Sequence, residues 1–382
     1  MIPYGRQSIS DDDVQAVVDV LRSDFLTQGP VVPAFEEAVA KHAGASHAVA
    51  VNSATSALHI ACMALGLGPG DRLWTVPNTF LASANCALYC GADVDFVDID
   101  PHTWTMSVPA LAERLEQAQR EGRLPKVVVP VAFGGQSCDM RGVRTLADRY
   151  GFVVVEDASH AVGATYAGAQ VGQGTYADIT VFSFHPVKIV TSAEGGMALT
   201  NDGKLAAAMR LYRSHGMTRE PEQMSGESQG PWYYEQVLLG YNYRMTELQA
   251  ALGLNQMKRL QHFIDRRHAI AGKYGELLAG LPLQTQQPGP QAHSALHLYP
   301  IRLHDASRRR PVFDMLRAQG IGVNVHYIPV HLQPYYRRLG FGPGQFPHAE
   351  AYYAGAITLP MYPDLDGAAQ AHVVASLRAA LQ

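Results

Sequence analysis

The chain of 382 residues is poor in the features that mark secreted, metal-binding and membrane-spanning proteins. Its four cysteines include no Cys-x-x-Cys pair, so the common zinc and redox motifs are absent and we expect no metal. No run of about 18 apolar residues occurs, which predicts that no segment crosses a membrane. The N-terminus also lacks the apolar core of a signal peptide. Reduced thiols and a cytoplasmic location are therefore expected.

Charge and loop motifs argue against two further classes of protein. The formal net charge is −4 and no basic run of five residues occurs, whereas nucleic-acid binding requires a basic face. The longest basic run, Arg308–Arg310, is better explained as a solvated turn. No Gly-x-Gly-x-x-Gly motif follows the first expected strand, so a dehydrogenase of the Rossmann type is also excluded.

Short valine-rich segments alternate with amphipathic helical segments over the first part of the chain. Hydrophobic residues make up 47% of the sequence, enough for a large buried core. The alternation predicts a large, mainly parallel α/β domain, which we assign to residues 1–250. A long helix is expected from Thr246 to about Leu278. Residues 251–382, with expected strands at His297–Leu303 and Val323–His326, predict a smaller α+β C-terminal domain.

Lys188 ends the most informative segment of the sequence, the apolar run that begins at Phe182. The run follows a strand-like segment, Ala177–Val181, and precedes the pair Gly195-Gly196. An amine in an apolar pocket loses its proton readily and becomes a nucleophile at neutral pH. Pyridoxal phosphate is the commonest aldehyde cofactor that such a lysine binds. A surface lysine after a strand is the structural alternative.

Two further loops follow expected strands, at the edge where open α/β sheets bind their ligands. The small residues of Asn52–Ser56 precede a helix, so their backbone N–H groups and hydroxyls can hold an anion. A simple helix cap is the alternative. Asp157 follows a buried valine strand and can pair with a pyridine nitrogen, while His160 on the next turn can reach the ring. A helix cap and a buried core histidine are the alternatives for these two residues.

Two aromatic segments complete the set of candidates. Phe80 follows the strand near Trp74 and can stack on a planar ring, although an ordinary core position is the alternative. Asn242 and Arg244, between Gly240 and Met245, offer donors for a phosphate or a carboxylate. Polar groups that face solvent at a helix junction are the alternative. Each signal is modest alone, and the specific feature is their order along the chain.

This order of motifs resembles the DegT/DnrJ/EryC1/StrS family of sugar aminotransferases. The resemblance is carried by Asp157-x-x-His160, Ser183-x-x-x-x-Lys188, Glu194-Gly195-Gly196 and the segment Gly240–Met245, and it extends from Leu26–Gly29 to His326–Pro329. It implies fold type I of the enzymes that depend on pyridoxal phosphate. It also implies a homodimer with shared active sites, because Asn242 would reach the cofactor phosphate of the neighbouring subunit.

The resemblance implies a role for each cofactor residue. Lys188 binds the cofactor covalently and moves the proton between cofactor and substrate carbons, and Asp157 pairs with the pyridinium nitrogen. His160 lies by the ring oxygen, where many family members carry Gln, and Phe80 stacks on the ring. The cofactor phosphate is bound by Thr55, Ser56 and Ser183, together with Asn242 of the second subunit.

Within the family, the similarity is greatest to members that act in pseudaminic acid biosynthesis, on the runs Met1–Ile9, Asp24–Gly29, Phe184–Lys188 and Val325–Tyr327. Such members transfer an amino group from glutamate to C4 of a UDP-linked 4-keto-6-deoxy-N-acetyl sugar. The resemblance places eight residues around that nucleotide sugar: Tyr4, Asp24, Phe25, Leu26, Thr27, Arg244, His326 and Tyr327.

Three alternatives remain at this point. The first is an aminotransferase for another 4-keto or 3-keto nucleotide sugar. The second is a dehydratase on the same fold, which Lys188 argues against because such enzymes carry His at this position. The third is a catalytically silent sensor or scaffold, which the joint presence of Lys188, Asp157, Ser183 and Asn242 disfavours.

Overall fold

The computed structural model describes residues 1–382, and strands and helices alternate along most of the chain. The strands are β1 (His47–Val51), β2 (Arg72–Thr75), β3 (Asp93–Phe96), β4 (Val127–Val129), β5 (Val153–Asp157), β6 (Thr165–Tyr166), β7 (Ala169–Gln170), β8 (Ile179–Ser183), β9 (Gly196–Thr200), β10 (Met217–Thr218), β11 (Glu235–Gln236), β12 (Leu283–Thr285), β13 (Ala292–His293), β14 (Tyr299–Leu303) and β15 (Ala356–Leu359). The α-helices are α1 (Asp11–Leu21), α2 (Val31–Ala43), α3 (Ala54–Ala64), α4 (Ala82–Tyr89), α5 (Val108–Arg120), α6 (Met140–Tyr150), α7 (Gly203–Arg213), α8 (Glu247–Met257), α9 (Leu260–Leu278), α10 (Arg309–Ala318), α11 (Pro334–Arg337), α12 (Pro347–Gly355) and α13 (Gly367–Leu381).

The central sheet has seven strands in the order β1-β9-β8-β5-β4-β2-β3. Only β9 runs antiparallel to its neighbours, and every other pair is parallel. The strands β4 and β8 are buried throughout, because helices cover both faces of the sheet. The expectation of a large, mainly parallel α/β domain is therefore confirmed.

A second, antiparallel sheet of three strands, β12-β14-β15, forms in the C-terminal part of the chain. With α9, α10 and α13 it encloses its own apolar core, which includes Ile301, Val312 and Leu377. The side chains of Tyr336 and Tyr352 instead pack in the core of the large sheet. The predicted division at residue 250 falls within α8, and nothing in the architecture tests that boundary, so it stays a prediction.

Two local expectations differ from the structure. The single long helix is two helices, α8 and α9, separated at Lys258 and Arg259. The Arg259 guanidinium there bonds Asp13 of α1 at 2.5 Å, an attachment to a distant helix that no local pattern reveals. The expected strand at Val323–His326 is extended chain in which Asn324 alone forms a bridge, to Thr358.

No helix of the structure combines the length and the apolar character that a membrane span requires.

Candidate active site

A cavity of about 920 Å³ lies at the carboxyl ends of β1, β5 and β8. This is the edge at which ligands bind in open α/β sheets. Ten of the sixteen residues predicted from the sequence line it: Tyr4, Thr55, Ser56, Phe80, Asp157, His160, Ser183, Lys188, His326 and Tyr327. The fold therefore brings together side chains that are separated by more than three hundred positions along the chain.

Lys188 projects into this cavity from the loop after β8. The side chain is partly accessible because it lines the cavity, but protein surrounds its amine. Burial lowers the pKa of Lys188 to about 8, and attraction to the Asp157 carboxylate opposes that effect. About a tenth of the amine is thus uncharged at pH 7, far more than for an ordinary lysine, as a nucleophile or a general base requires.

Asp157, the last residue of β5, is 5% exposed and held by two donors. The Ser83 hydroxyl donates to Oδ2 at 2.6 Å, and the Ser159 N–H donates to Oδ1 at 3.1 Å. The Thr79 hydroxyl lies 2.8 Å from that of Ser83. These two hydrogen bonds hold the buried carboxylate in one orientation within the cavity.

The first turn of α3 faces the cavity with its unpaired backbone N–H groups. Ser53 caps the helix by accepting from the Ser56 N–H at 3.1 Å, while Thr55 keeps its hydroxyl on the cavity wall. A helix N-terminus with free N–H groups and hydroxyls is suited to a phosphate. Ser183, at the end of β8, lines the same cavity.

Gly196 allows this turn to approach the sheet. A Cβ atom at Gly196 would lie 2.5 Å from the backbone N of Ala54, closer than real side chains come. The glycine is therefore required because the backbone of the α3 turn passes directly over the start of β9. This explains part of the Gly195-Gly196 pair noted in the sequence.

Imidazole and phenol groups form the other side of the cavity. His160 is hydrogen-bonded through Nδ1 to the Gly134 N–H at 3.3 Å and through Nε2 to the Tyr327 hydroxyl at 3.1 Å. His326 is bonded through Nδ1 to the Thr358 hydroxyl at 2.9 Å. Burial, with a smaller effect from Lys188, lowers the pKa of His326 to about 3, and burial likewise lowers that of His160 well below its usual range. Both imidazoles are therefore neutral.

Phe80 lies at the mouth of the cavity and Tyr4 on its inner wall. Phe80 is 58% exposed, an unusual degree for a phenylalanine, and its ring centroid lies 6.1 Å from that of Tyr327. Such an apolar face turned to the cavity can cover a planar ring. Tyr4 comes from the N-terminal segment and contacts His326, with ring centroids 5.3 Å apart.

The remaining six predicted residues do not line this cavity. Asn242 is exposed, and Arg244 lines a separate depression of about 200 Å³ with Arg213. The segment of Asp24, Phe25, Leu26 and Thr27 is also exposed. It is fixed to the start of α8, where the Glu247 N–H donates to the Leu26 carbonyl at 3.0 Å.

Several polar residues of the site were not predicted from the sequence, among them Ser83 and His297. Ser83 lies within α4 and has no motif that distinguishes it from a helical serine. His297 is 4% exposed and lies 4.5 Å from His160, ring centroid to ring centroid, with no hydrogen-bond partner for Nδ1. Its place in the cavity depends on the C-terminal segment folding back onto the sheet.

The side chains of the cavity fit pyridoxal phosphate. Lys188 offers an amine for the aldehyde, Asp157 a fixed carboxylate for the pyridine nitrogen, and Phe80 an apolar face. The α3 turn with Thr55 offers donors for the phosphate. The orphaned Nδ1 of His297 shows that the buried wall keeps hydrogen-bonding capacity for a bound molecule.

The fold and this site define an aminotransferase that uses pyridoxal phosphate as its cofactor. More narrowly, the chain belongs to the DegT/DnrJ/EryC1/StrS aminotransferase family, whose model matches residues 7–378. The resemblance noted in the sequence and the expected fold type I are thereby confirmed.

Named relatives cover nearly the whole chain. It is 40% identical over 370 residues to the spore coat polysaccharide biosynthesis protein SpsC of Bacillus subtilis, covering 95% of this chain and 93% of that protein. It is 36% identical over 375 residues to a UDP-4-amino-4,6-dideoxy-N-acetyl-β-L-altrosamine transaminase of Campylobacter jejuni, covering 96% and 94%. The structure of Helicobacter pylori PseC, an aminotransferase of pseudaminic acid biosynthesis, superposes with a TM-score of 0.91 at 30% identity, covering 100% and 99%.

Proposed function

We propose that the enzyme transfers the amino group of glutamate to C4 of a UDP-linked 4-keto-6-deoxy-N-acetyl sugar, as in pseudaminic acid biosynthesis. The observation that carries the proposal is the similarity, over nearly the whole chain, to transaminases named for the product of such a reaction. The cavity of about 920 Å³ is large enough for a cofactor together with a sugar. Glutamate leaves as 2-oxoglutarate before the keto sugar reacts, so the kinetics are ping-pong.

Lys188 is the proposed acid–base group of both half-reactions. When bound, pyridoxal phosphate supplies an electron sink that makes the C–H bond next to the transferred nitrogen acidic. The uncharged Lys188 amine removes that proton and returns it one carbon further along. A pKa of about 8 suits both directions, because both protonation states of the amine are populated within about one pH unit of that value.

The other residues bind the cofactor and orient it. Asp157 keeps the pyridine nitrogen protonated, which is why its own position is fixed by Ser83 and Ser159. Phe80 covers one face of the ring and excludes water. The phosphate is held by the first turn of α3 with Thr55 and Ser56, by Ser183, and by Asn242 of a second subunit.

The nucleotide sugar is proposed to enter over the mouth of the cavity. Tyr4, His326 and Tyr327 line the inner wall and are placed to contact the sugar. The diphosphate needs cationic or N–H donors, which the proposed segment Asp24–Thr27 and Arg244 can supply. Since these residues lie outside the cavity of their own chain, the contact requires a second subunit.

A homodimer with shared active sites is therefore part of the proposal. Asn242 and Arg244 lie outside their own cavity, and large apolar side chains of the same region are exposed, including Trp232 at 71% and Leu239 at 76%. Apolar surface of this kind is typical of an interface. A nucleotide sugar and glutamate are cytoplasmic metabolites, so we also propose that the enzyme acts in the cytoplasm.

The test is to offer purified holoenzyme and glutamate a panel of UDP- and dTDP-linked 4-keto and 3-keto sugars. We expect turnover of the UDP-4-keto-6-deoxy-N-acetyl sugar, with a product one amino group richer by mass and a C4 configuration given by NMR. The Lys188→Ala variant serves as the control for uncatalysed amination. Turnover of another sugar in the panel, with none of this one, would contradict the substrate assignment.

A second candidate is an aminotransferase for a different keto nucleotide sugar of surface polysaccharide synthesis. The observation in its favour is the 40% identity to SpsC, which exceeds the 36% identity to the named transaminase. The same panel separates the two candidates, because the cofactor chemistry is common to both and only the accepted sugar differs.

A further inference from the structure

His160 has both ring nitrogens engaged, which fixes where its proton lies. The Gly134 N–H donates to Nδ1 at 3.3 Å, so Nδ1 carries the lone pair and not a hydrogen. Gly134 has a φ of 70°, a left-handed conformation that glycine adopts without strain. Burial lowers the pKa of His160 well below its usual range, so the ring is neutral and its one proton is on Nε2.

The Nε2 proton of His160 determines the direction of the next hydrogen bond. Nε2 lies 3.1 Å from the Tyr327 oxygen, and since Nε2 carries the hydrogen it donates to that oxygen. The hydroxyl hydrogen of Tyr327 is therefore not used toward His160, and no other bond of this hydroxyl is present in the chain. Tyr327 lines the cavity beside Phe80, so its hydrogen is available to a bound molecule.

We propose that Tyr327 is an oriented hydrogen-bond donor to an oxygen acceptor of the molecule bound beside Lys188, and that His160 is the positioning residue that fixes its direction. The inference rests on the proposed function and deepens it. Two sources can supply such an acceptor, namely the phenolic oxygen of pyridoxal phosphate and the carbonyl oxygen of the keto sugar. His160 then acts on the bound molecule through Tyr327.

The surroundings of Tyr327 support a donor role. Burial, reinforced by the Asp157 carboxylate, raises the pKa of Tyr327, so the phenol keeps its proton at working pH. Its ring lies against Phe133 at 6.3 Å and nearly parallel to His160 at 6.2 Å, centroid to centroid, which restricts its rotation. A hydrogen-bond donor that is already oriented loses little entropy when it binds its acceptor.

The central test compares Tyr327→Phe holoenzyme with the wild type in two measurements. The first is the pH midpoint of the absorbance change of bound cofactor, without any substrate. If the acceptor is the phenolic oxygen, the midpoint rises by about one pH unit, because the ionised oxygen loses its donor. The second is the single-turnover rate with the keto sugar and, separately, with glutamate. If the acceptor is the sugar carbonyl, only the sugar rate falls, by roughly tenfold or more.

His160 is tested by two substitutions that differ only in hydrogen bonding. His160→Gln retains both functions, because an amide can accept from the Gly134 N–H and donate to Tyr327, so near wild-type values are expected. His160→Leu removes both and should reproduce the effect of Tyr327→Phe, with little further change in the double variant. Tyr336→Phe is the matched control, since that buried hydroxyl bonds Asn85 outside the cavity and should leave both measurements unchanged.

Two results would overturn the inference. If Tyr327→Phe binds cofactor yet alters neither the absorbance midpoint nor the sugar rate, Tyr327 is not a donor. If His160→Leu matches the wild type while Tyr327→Phe does not, His160 does not orient it. The absorbance measurement needs no sugar, so it stays informative if the proposed sugar is wrong, and failure of wild-type turnover identifies that separate error.

Discussion

Lys188 shows how one residue acquires reactivity from its surroundings. The amine is enclosed by protein, and burial outweighs the attraction of Asp157, so the pKa of Lys188 falls from its ordinary value to about 8. A surface lysine would be almost fully charged at neutral pH and would react slowly with an aldehyde. The enclosure thus converts an ordinary side chain into a nucleophile.

The first prediction concerns the pH dependence of cofactor attachment. Only the uncharged amine attacks the aldehyde, so the rate of covalent attachment to the apoenzyme should rise with pH up to about 8 and level off above it. Stopped-flow absorbance measures the rate, and borohydride reduction with peptide mass spectrometry locates the attached residue. The exposed Lys273→Ala variant is the control and should behave as the wild type. A midpoint near 10.5 would show that burial does not perturb Lys188.

A second prediction concerns the support of Asp157. Ser83→Ala removes the 2.6 Å bond to Oδ2 and should weaken pyridoxal phosphate binding by roughly tenfold, since hydrogen bonds to charged groups contribute about 1.5–3 kcal/mol. Equilibrium binding measures the loss. Glu156 precedes Asp157 on β5 and offers a matched control. The Ser137 hydroxyl donates to Glu156 at 2.6 Å, and Glu156 does not line the cavity. An equal effect of Ser137→Ala would show general destabilisation and not a role at Asp157.

At the scale of elements, α8 holds the start of α2 in place. Glu247 is fully buried and accepts from the N–H groups of Val31 at 2.6 Å and Val32 at 3.2 Å. These are groups of the first turn of α2, which has no side-chain cap of its own. A carboxylate from a distant helix therefore serves as the cap and complements the helix dipole.

This arrangement gives a third prediction. Glu247→Ala leaves two N–H groups at the start of α2 without a partner and should lower the free energy of unfolding by about 1–3 kcal/mol. Urea denaturation followed by circular dichroism measures the change. The exposed pair Lys273 and Glu276 provides the control, and Glu276→Ala should change stability by less than about 0.5 kcal/mol. An unchanged midpoint for Glu247→Ala would mean that water satisfies these groups.

Elements were predictable where the local pattern matched the tertiary environment. The valine-rich strands β4 and β5 have the continuous apolar pattern of buried parallel strands, and the helices between the strands have the apolar face that packs on a sheet. The break between α8 and α9 has no signal in the local pattern, and the residues around it bond Asp13, more than two hundred positions away, through Asn255, Gln256 and Arg259. The strand expected at Val323–His326 forms no ladder, since Asn324 alone bridges to Thr358 of β15.

At the scale of the whole molecule, the cavity of one chain is incomplete for the proposed chemistry. No arginine lines it, although a nucleotide sugar carries a diphosphate and glutamate two carboxylates. Arg244 and Asn242 lie outside it, on the segment whose Tyr243 carbonyl accepts from the Asn52 N–H at 2.8 Å. The segment is thus bonded to the loop before α3 of its own chain. We propose that its Asn242 and Arg244 face the active site of the other subunit.

The fourth prediction tests that shared site. Asn242→Asp places a negative charge against the cofactor phosphate of the neighbouring subunit and should leave the enzyme without cofactor, and so inactive, at limiting cofactor, while Lys188→Ala abolishes turnover. When the two inactive variants are unfolded together and refolded, mixed dimers contain one intact site. Random pairing in a dimer then restores about a quarter of wild-type activity.

The control for this mixing experiment is Lys188→Ala combined with Ser183→Ala, two changes on the same side of the site. Lys188 and Ser183 line the cavity of one chain, so each site of a mixed dimer carries one of the two substitutions. No recovery of activity is therefore expected from this pair. Size-exclusion chromatography with light scattering should show dimers throughout. No recovery in the Asn242 mixture, despite mixed dimers, would place Asn242 in the site of its own chain.

The sequence by itself determined the class of chemistry and the presence of a mainly parallel α/β sheet. These conclusions depend on local features, namely the strand periodicity, Lys188, Asp157 and the order of the loop motifs. Local features can be read from short segments of the sequence. The tertiary structure alone decided which side chains share a cavity, because that depends on segments hundreds of residues apart. It revealed Ser83 behind Asp157, and it placed Tyr327 between His160 and the cavity. The low pKa of Lys188 likewise follows from enclosure, which no short segment of sequence encodes.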